Sequence, residues 1–266
     1  NIAIKGTFDD CQKIVKEMFA DDIFRQTINM SGVNSINWAR IMFQIVYYFY
    51  SFFKIKKDKI NFSVPTGNFG DVYAGYMAKK MGLPIGKLIV ATNENDILQR
   101  VINKGEYKPR KVKASLSPSM NIQVSSNFER LLFYALNKDP LKVDQLMNNL
   151  KEKKYFKLNN RIIKKIKRDF LAFKVTDRQT KNMINKIYSN YNFFIDPHTA
   201  TGFHAIDESQ QINSSVVLGT AHPYKFLETM RSVTGKKIKK PSQLRNLLSR
   251  RENYDILDSK INNIKK

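Results

Sequence analysis

Gly67-Asn68-Phe69-Gly70 is the stretch of this 266-residue sequence whose residue types and spacing best suit a bound anion. Two glycines bracket Asn68 and Phe69, so the backbone there can turn sharply and leave its N–H groups uncovered. A turn of that kind between a strand and a helix offers free N–H groups and the positive helix end to an anion. The spacing is neither G-x-x-x-x-G-K-[ST] nor G-x-G-x-x-G, so an ordinary strand-to-helix turn is the competing reading. Asn34, Ser35 and Arg40 form a second candidate. Amide and hydroxyl donors sit at a helix start, and a guanidinium about one turn on can fork onto a phosphate. The plainer alternative is that Asn34 and Ser35 cap the helix and Arg40 is solvated. His198 and His204 lack the i, i+4 spacing of a zinc-binding helix, and no carboxylate motif accompanies them, so no metal site is expected.

The elements that must carry these residues follow from periodicity. Ile60 to Val64 alternates apolar and polar residues as a short strand closed by Pro65, and from Asp71 the apolar Val72, Tyr76, Met77 and Met81 keep helical spacing until Gly82. Lys87 to Thr92 reads as a second strand, followed by a helix from Asn95 to Gly105. Ser214 to Leu218 reads as the last strand. Strands joined by helices of this length imply parallel βαβ units, with ligands at the carboxyl ends of the strands. The expected class is α/β, a parallel sheet with flanking helices. An amphipathic helix over Phe8 to Phe19, capped by Thr7, precedes a long helix through Tyr50. Leu131 to Asn192 reads as almost continuous helix, a helix-rich insertion whose Ile162, Ile163, Ile166 and Phe170 form a buried stripe.

Lys and Arg number 46 against 23 Asp and Glu, a net charge of +23. That balance fits nucleic acid or an anionic surface. The basic clusters near Lys151 and Arg161 carry no interleaved aromatic residues for base stacking, so solvated helix faces are expected and nucleic acid is set aside. Ile41 to Ile55 is apolar but shorter than the roughly 20 residues a bilayer requires, so it reads as a buried core helix and no membrane partner is expected. The lone Cys11 excludes a disulfide framework and fits a reducing, cytoplasmic setting.

Pro65-Thr66-Gly67-Asn68-Phe69-Gly70-Asp71 resembles the cofactor-phosphate loop of the threonine synthases, a pyridoxal-phosphate family. Asn34-Ser35-Ile36-Asn37-Trp38-Ala39-Arg40 is similar to that family's grip on the substrate phosphate. Ser117 to Arg130 is also similar, with Asn121 where the family usually has aspartate; Asn127, Glu129 and Arg130 there read as a self-paired helix start. Asp196-Pro197-His198-Thr199-Ala200 is similar to a segment near the cofactor, and Gly219-Thr220-Ala221-His222-Pro223 to one whose threonine hydroxyl meets the pyridine nitrogen.

The resemblance implies the pyridoxal-phosphate fold of the tryptophan synthase β type. It implies Gly67, Asn68, Phe69, Gly70 and Thr220 for pyridoxal 5'-phosphate, and Asn34, Ser35 and Arg40 for the phosphate of O-phospho-L-homoserine. Asp71 is read as a helix-start residue, excluded from phosphate by its charge. The family's Schiff-base lysine lies in a Ser-Phe-Lys-Asp-type segment upstream of these motifs, and Lys225 is not a convincing substitute, so no catalytic residue is assigned here. The chain is expected to be the C-terminal part of a longer enzyme, inactive alone. Residues 1–33 would be a remnant of its small domain, 34–130 and 193–266 the cofactor domain, and 131–192 the insertion. A threonine dehydratase of the same fold is the enzyme alternative, although its substrate carries no phosphate for Arg40. A basic nucleic-acid-binding module is the alternative from another class. Oligomeric state stays open.

Overall fold

The computed structural model describes residues 1–6, 8–32, 37–211, 214–244 and 249–265. In chain order these form β1 (Ile2–Lys5), α1 (Phe8–Ala20), α2 (Asp22–Thr27), α3 (Trp38–Ile55), β2 (Ile60–Pro65), α4 (Gly70–Lys80), β3 (Ile85–Thr92), α5 (Ile97–Lys104) and β4 (Glu106–Tyr107). Then follow α6 (Phe128–Ala135), α7 (Pro140–Lys153), β5 (Phe156–Lys157), α8 (Asn160–Lys167), β6 (Phe170–Lys174) and α9 (Asp177–Tyr191). The last are α10 (Pro197–Ser209), β7 (Ser215–Val217), α11 (Leu227–Thr234), β8 (Asp255–Asp258) and α12 (Ile261–Ile264).

Two compact units result, Asn1–Val33 with Lys239–Lys266, and Asn34–Ile238. In the smaller, β1 pairs in parallel with β8, so the last residues fold with the first and not with the sheet that precedes them. Its α2 gave little sequence signal: six residues, none buried, held by the Asp21 side chain accepting from the Phe24 N–H. Thr7 lies outside the described residues.

The larger unit is built on a four-stranded, all-parallel sheet of order β6-β3-β2-β7. Side chains alternate across it as the pleat requires. Phe62, Val64, Leu88, Val90, Phe170 and Ala172 join the core shared with α3, α4, α5, α6 and α8. Ile89 and Ala91 meet Ala205 and Ile206 of α10 on the opposite face. Helices therefore cover both faces, which a parallel sheet needs.

Two expectations need correction. The segment 131–192 is not continuous helix, because β6 lies in it and forms an edge of the main sheet beside β3. Phe170 is buried as expected, but on that strand and not on α8. The five-residue run Phe170-Leu171-Ala172-Phe173-Lys174 follows a basic helix without glycine or proline between, so periodicity could not separate the two. Likewise α3 is not wholly buried. Ile41, Ile45 and Tyr48 face the core, while Phe43, Tyr50 and Phe53 are each more than 60% exposed on the other side. Among the described residues no helix is long and apolar enough to cross a membrane.

Basic side chains of this region are spent on helix ends. Lys165 Nζ donates to the carbonyls of Tyr134 and Ala135 at 3.1 and 3.0 Å, and Lys167 Nζ to that of Asn103 at 3.0 Å. These are the carbonyls that helix C-termini leave unpaired, where a cation is favoured.

The seam between α3 and α4 depends on Gly75. A Cβ there would sit 2.4 Å from the Tyr48 ring and 2.8 Å from Leu88. Gly75→Ala is expected to destabilise the fold by about 1–3 kcal/mol through overpacking, despite alanine's better helix propensity. Urea unfolding of the two proteins checks this.

Candidate functional site

The carboxyl ends of β2 and β7 lie side by side because the two strands are parallel neighbours, with Phe62 opposite Val216 and Ser63 opposite Val217. Leu218 continues the pairing by donating its N–H to the Ser63 carbonyl at 3.0 Å. The Gly67 loop leaves one strand end, and Gly219 and Thr220 leave the other.

Thr66 follows β2, its N–H bonded to the Ala91 carbonyl and its hydroxyl to that of Val64. The reversal after it falls on Phe69, at φ 64° and ψ 6°, and neither Gly67 nor Gly70 has a positive φ. The expectation that the glycines make the turn is corrected here. A left-handed non-glycine residue costs of order 1 kcal/mol, and the surroundings must hold it. Phe69 is held by its ring, 1% exposed, with the rings of Phe128 and Phe170 at 5.3 and 5.7 Å. Gly67 is needed for close approach instead: a Cβ on it would lie 2.9 Å from both the Ser119 carbonyl oxygen and Ile122.

The carbonyl side of the loop is tied down. Ser125 Oγ donates to the Gly67 carbonyl at 2.9 Å, and Asn127 donates its N–H and Nδ2 to the Asn68 carbonyl at 3.2 and 3.1 Å. Ser126 N–H and Oγ reach Asn68 Oδ1 at 3.4 and 3.2 Å. No N–H from Gly67 to Gly70 finds an acceptor among the described residues. The loop thus has its acceptors satisfied and its donors open, which is the arrangement an anion completes.

Ser125 to Asn127 was the part least visible in the sequence. Asn127 precedes α6 but makes no side-chain cap there; it clamps the loop and accepts from Arg130 Nε at 3.0 Å. Asn121 also finds its place. Its Oδ1 accepts from Ser115 Oγ, Asn93 Nδ2 and Asn95 Nδ2 at 2.6, 2.8 and 3.2 Å, an acceptor role that aspartate could equally fill.

Arg40, Gln44, Asp71, Gly219 and Thr220 line one cleft of 640 Å³, together with Tyr47 and Tyr50. Arg40 and Gln44 are four residues apart on α3, hence on one face. Arg40 is exposed and Gln44 Oε1 is buried, and neither group has a hydrogen-bond partner among the described residues. The Thr220 hydroxyl is likewise exposed and unengaged, and a Cβ on Gly219 would meet nothing nearer than Thr199 Oγ1 at 3.9 Å. Arg40 and Thr220 thus come together, and the Gly67–Gly70 loop runs directly into the cleft-lining Asp71. Asn34 and Ser35 lie outside the described residues. Helix α3 starts after them, at Trp38, with Asn37 as its cap accepting from the Ala39 N–H at 3.0 Å.

Asp71 is more than a helix-start residue. The Tyr48 hydroxyl reaches its carbonyl at 2.8 Å and its Oδ1 at 3.2 Å. Burial pushes the carboxyl up from 3.8 to about 6, against the lowering effects of the Tyr48 hydrogen bond and the Arg40 charge. A carboxyl whose folded pKa is raised binds its proton more tightly when folded, so stability falls as pH rises from about 4 through about 6. Asp71→Asn, which keeps an acceptor for Tyr48, is expected to regain up to about 3 kcal/mol at neutral pH and little below about pH 4. Urea unfolding across that range measures the difference.

Behind the cleft, Asp196 caps α10. Its Oδ1 accepts from the His198 and Thr199 N–H groups at 2.8 and 3.4 Å, lies 3.1 Å from His198 Nδ1, and its Oδ2 accepts from the Thr199 hydroxyl. Burial acts to raise this carboxyl, but the His198 and Thr199 hydrogen bonds outweigh it and hold it below its usual value. His204 is drawn instead to Glu208, at 3.6 Å.

Known proteins fit this geometry. The chain is 46% identical over 252 residues to the threonine synthase of Saccharomyces cerevisiae, covering 86% of this chain and 49% of the yeast protein. It is 43% identical over 266 residues to that of Pseudomonas aeruginosa, covering 98% and 57%. The chain belongs to the threonine synthase family. A model of the threonine synthase C-terminal region matches residues 199–266. Pyridoxal-phosphate-bound threonine synthase from Brucella melitensis superposes with a TM-score of 0.89 at 43% identity, over 99% of this chain and 57% of that one. The yeast structure gives 0.83 at 41% identity, over 99% and 58%. The chain therefore has the threonine synthase fold and spans about half the length of the curated relatives it matches.

Proposed function

We propose that this chain forms part of an enzyme converting O-phospho-L-homoserine and water to L-threonine and phosphate with pyridoxal 5'-phosphate. The observation that carries this reading is the Gly67–Gly70 loop, with its carbonyls clamped and its donors open beside the cleft of Arg40 and Thr220. The loop suits the cofactor: four N–H groups without acceptors among the described residues match a phosphate, and Thr220, whose hydroxyl has no partner among them, could offer it to a ring nitrogen. When bound, the cofactor supplies an electron sink for the carbanion chemistry of the reaction.

This chain's own residues then hold and orient. Gly67, Asn68, Phe69 and Gly70 would hold the cofactor phosphate through backbone donors. Thr220 would serve the ring nitrogen as a neutral hydroxyl, which would support its proton less than a carboxylate. Arg40 forks onto the substrate phosphate, with Asn34 and Ser35 as further donors, and stabilises the charge of that phosphate as it leaves. No lysine of this chain is assigned as the covalent anchor; Lys225 is exposed in the short 3-10 turn Pro223–Phe226. The unit Asn34–Ile238, which carries the main sheet with β6 at its edge, supplies the cofactor domain of the reading, and Asn1–Val33 with Lys239–Lys266 part of its smaller companion.

Phosphate release from O-phospho-L-homoserine, assayed on the longer protein that contains this chain, tests the reaction. Stoichiometric threonine and phosphate are expected. Ammonia release from threonine or serine with no action on the phosphorylated substrate would replace this reading by a dehydratase.

A further inference from the structure

The cleft contains a carboxyl that a phosphate-binding site would not be expected to keep. We propose that an anion entering the cleft is taken up together with a proton on Asp71. The proposal rests on the reading that this cleft holds a phosphate group, and it adds a regulation to that site.

Arg40 and Asp71 line the same cleft from α3 and α4, yet they form no ion pair within 4 Å, and Arg40 has no other ion-pair partner among the described residues. Its charge nevertheless acts on Asp71 and favours the carboxylate. An oxyanion bound by Arg40 cancels that influence and brings negative charge close to a desolvated carboxylate. Both changes favour the neutral acid. With Arg40 at +1 and Asp71 at −1, a dianion alone would leave the cleft at −2, whereas a dianion with one proton leaves it at −1. Departure of the anion reverses the exchange, and Asp71 gives up its proton as Arg40 again favours its charge.

The other groups around Asp71 do not offer this switch. On α3 the Tyr48 phenol is fully buried, and burial raises it well above its usual value, so it stays neutral. Tyr47 and Tyr50 stand at the exposed rim. On α6, Glu129 is exposed and Arg130 lies over the Trp38 ring, bonded to Asn127. Strand β2 supplies no ionisable side chain, and Lys87 of β3 is bound to the carbonyls of Lys167 and Arg168. Two residues beyond Thr220 stands His222, whose Nδ1 accepts from the Tyr224 N–H at 3.1 Å. It is the rival source of any pH dependence.

Sulfate is the probe, because it carries the same dianion across the range and does not itself titrate there. Its affinity for this chain, measured by calorimetry from about pH 5 to about pH 8, is expected to fall up to tenfold per unit above about pH 6. Titrations in buffers of different ionisation enthalpy should show net proton uptake approaching one per sulfate. Asp71→Asn should bind sulfate without that pH dependence, and more tightly than the parent at the alkaline end. Tyr48→Phe, which removes a hydrogen bond from the carboxylate, should move the fall in affinity to higher pH and keeps the test open should Asp71→Asn fold poorly. Binding that is flat in pH overturns the proposal and leaves the phosphate reading standing. A pH dependence that survives in Asp71→Asn and vanishes in His222→Gln also overturns it. Absence of sulfate binding at every pH overturns both.

Discussion

Gly67→Val is expected to abolish retention of pyridoxal phosphate in the whole enzyme while its α/β core stays folded. A Cβ at this position meets the backbone of Ser119 and Met120 at 2.9 and 3.2 Å, and backbone cannot swing aside as the tip of a long side chain can. The loop must move, and with it the left-handed Phe69, whose ring packs against Phe128 and Phe170. Overpacking itself should cost about 1–3 kcal/mol. Loss of the open donors is the larger expected consequence, because on the proposed reading each would make a charge-assisted bond to a phosphate. The visible absorbance of the purified protein and its circular dichroism separate the two effects. Full absorbance with an undisturbed fold would show the loop to be an ordinary turn.

Arg40→Lys, a change that keeps the charge, is expected to lower kcat/KM for the phosphorylated substrate about 10- to 100-fold. Lysine lacks the planar pair of donors that a phosphate accepts side by side. Arg40 is exposed on the first turn of α3 and its side chain has no hydrogen-bond or ion-pair partner among the described residues, so stability and cofactor content should not change. Steady-state kinetics with O-phospho-L-homoserine decide the matter, and an unchanged kcat/KM would remove Arg40 from the site.

Much of the parallel sheet could be read from residue pattern, because β2 and β3 are short apolar runs bounded by proline, glycine and asparagine. Strand β6 could not, since its five residues follow α8 with only Arg168 and Asp169 between. The site was legible where backbone chemistry is written in residue type. Glycines flanking Asn68 signal a turn, and an arginine one turn into α3 signals a reachable guanidinium. Two features had no local signature. The strain falls on Phe69 and not on either glycine, because an aromatic core distant in sequence anchors it. The clamp from Ser125, Ser126 and Asn127 joins residues some 58 positions away, and such contacts leave no periodicity to read. Asp71 shows the same limit. Charge alone set it apart from a phosphate, whereas its burial against Tyr48 and its place beside Arg40 emerge only in three dimensions.

The central claim is that the open donors of Gly67, Asn68, Phe69 and Gly70 receive a phosphate. Amide NMR of this chain, titrated in parallel with pyridoxal 5'-phosphate and with phosphate-free pyridoxal, tests it most directly. These four N–H resonances are expected to shift downfield with the phosphorylated compound and to stay still with pyridoxal. Equal shifts with both compounds, or phosphate-dependent shifts confined to the basic surfaces of α7 and α8, would contradict it.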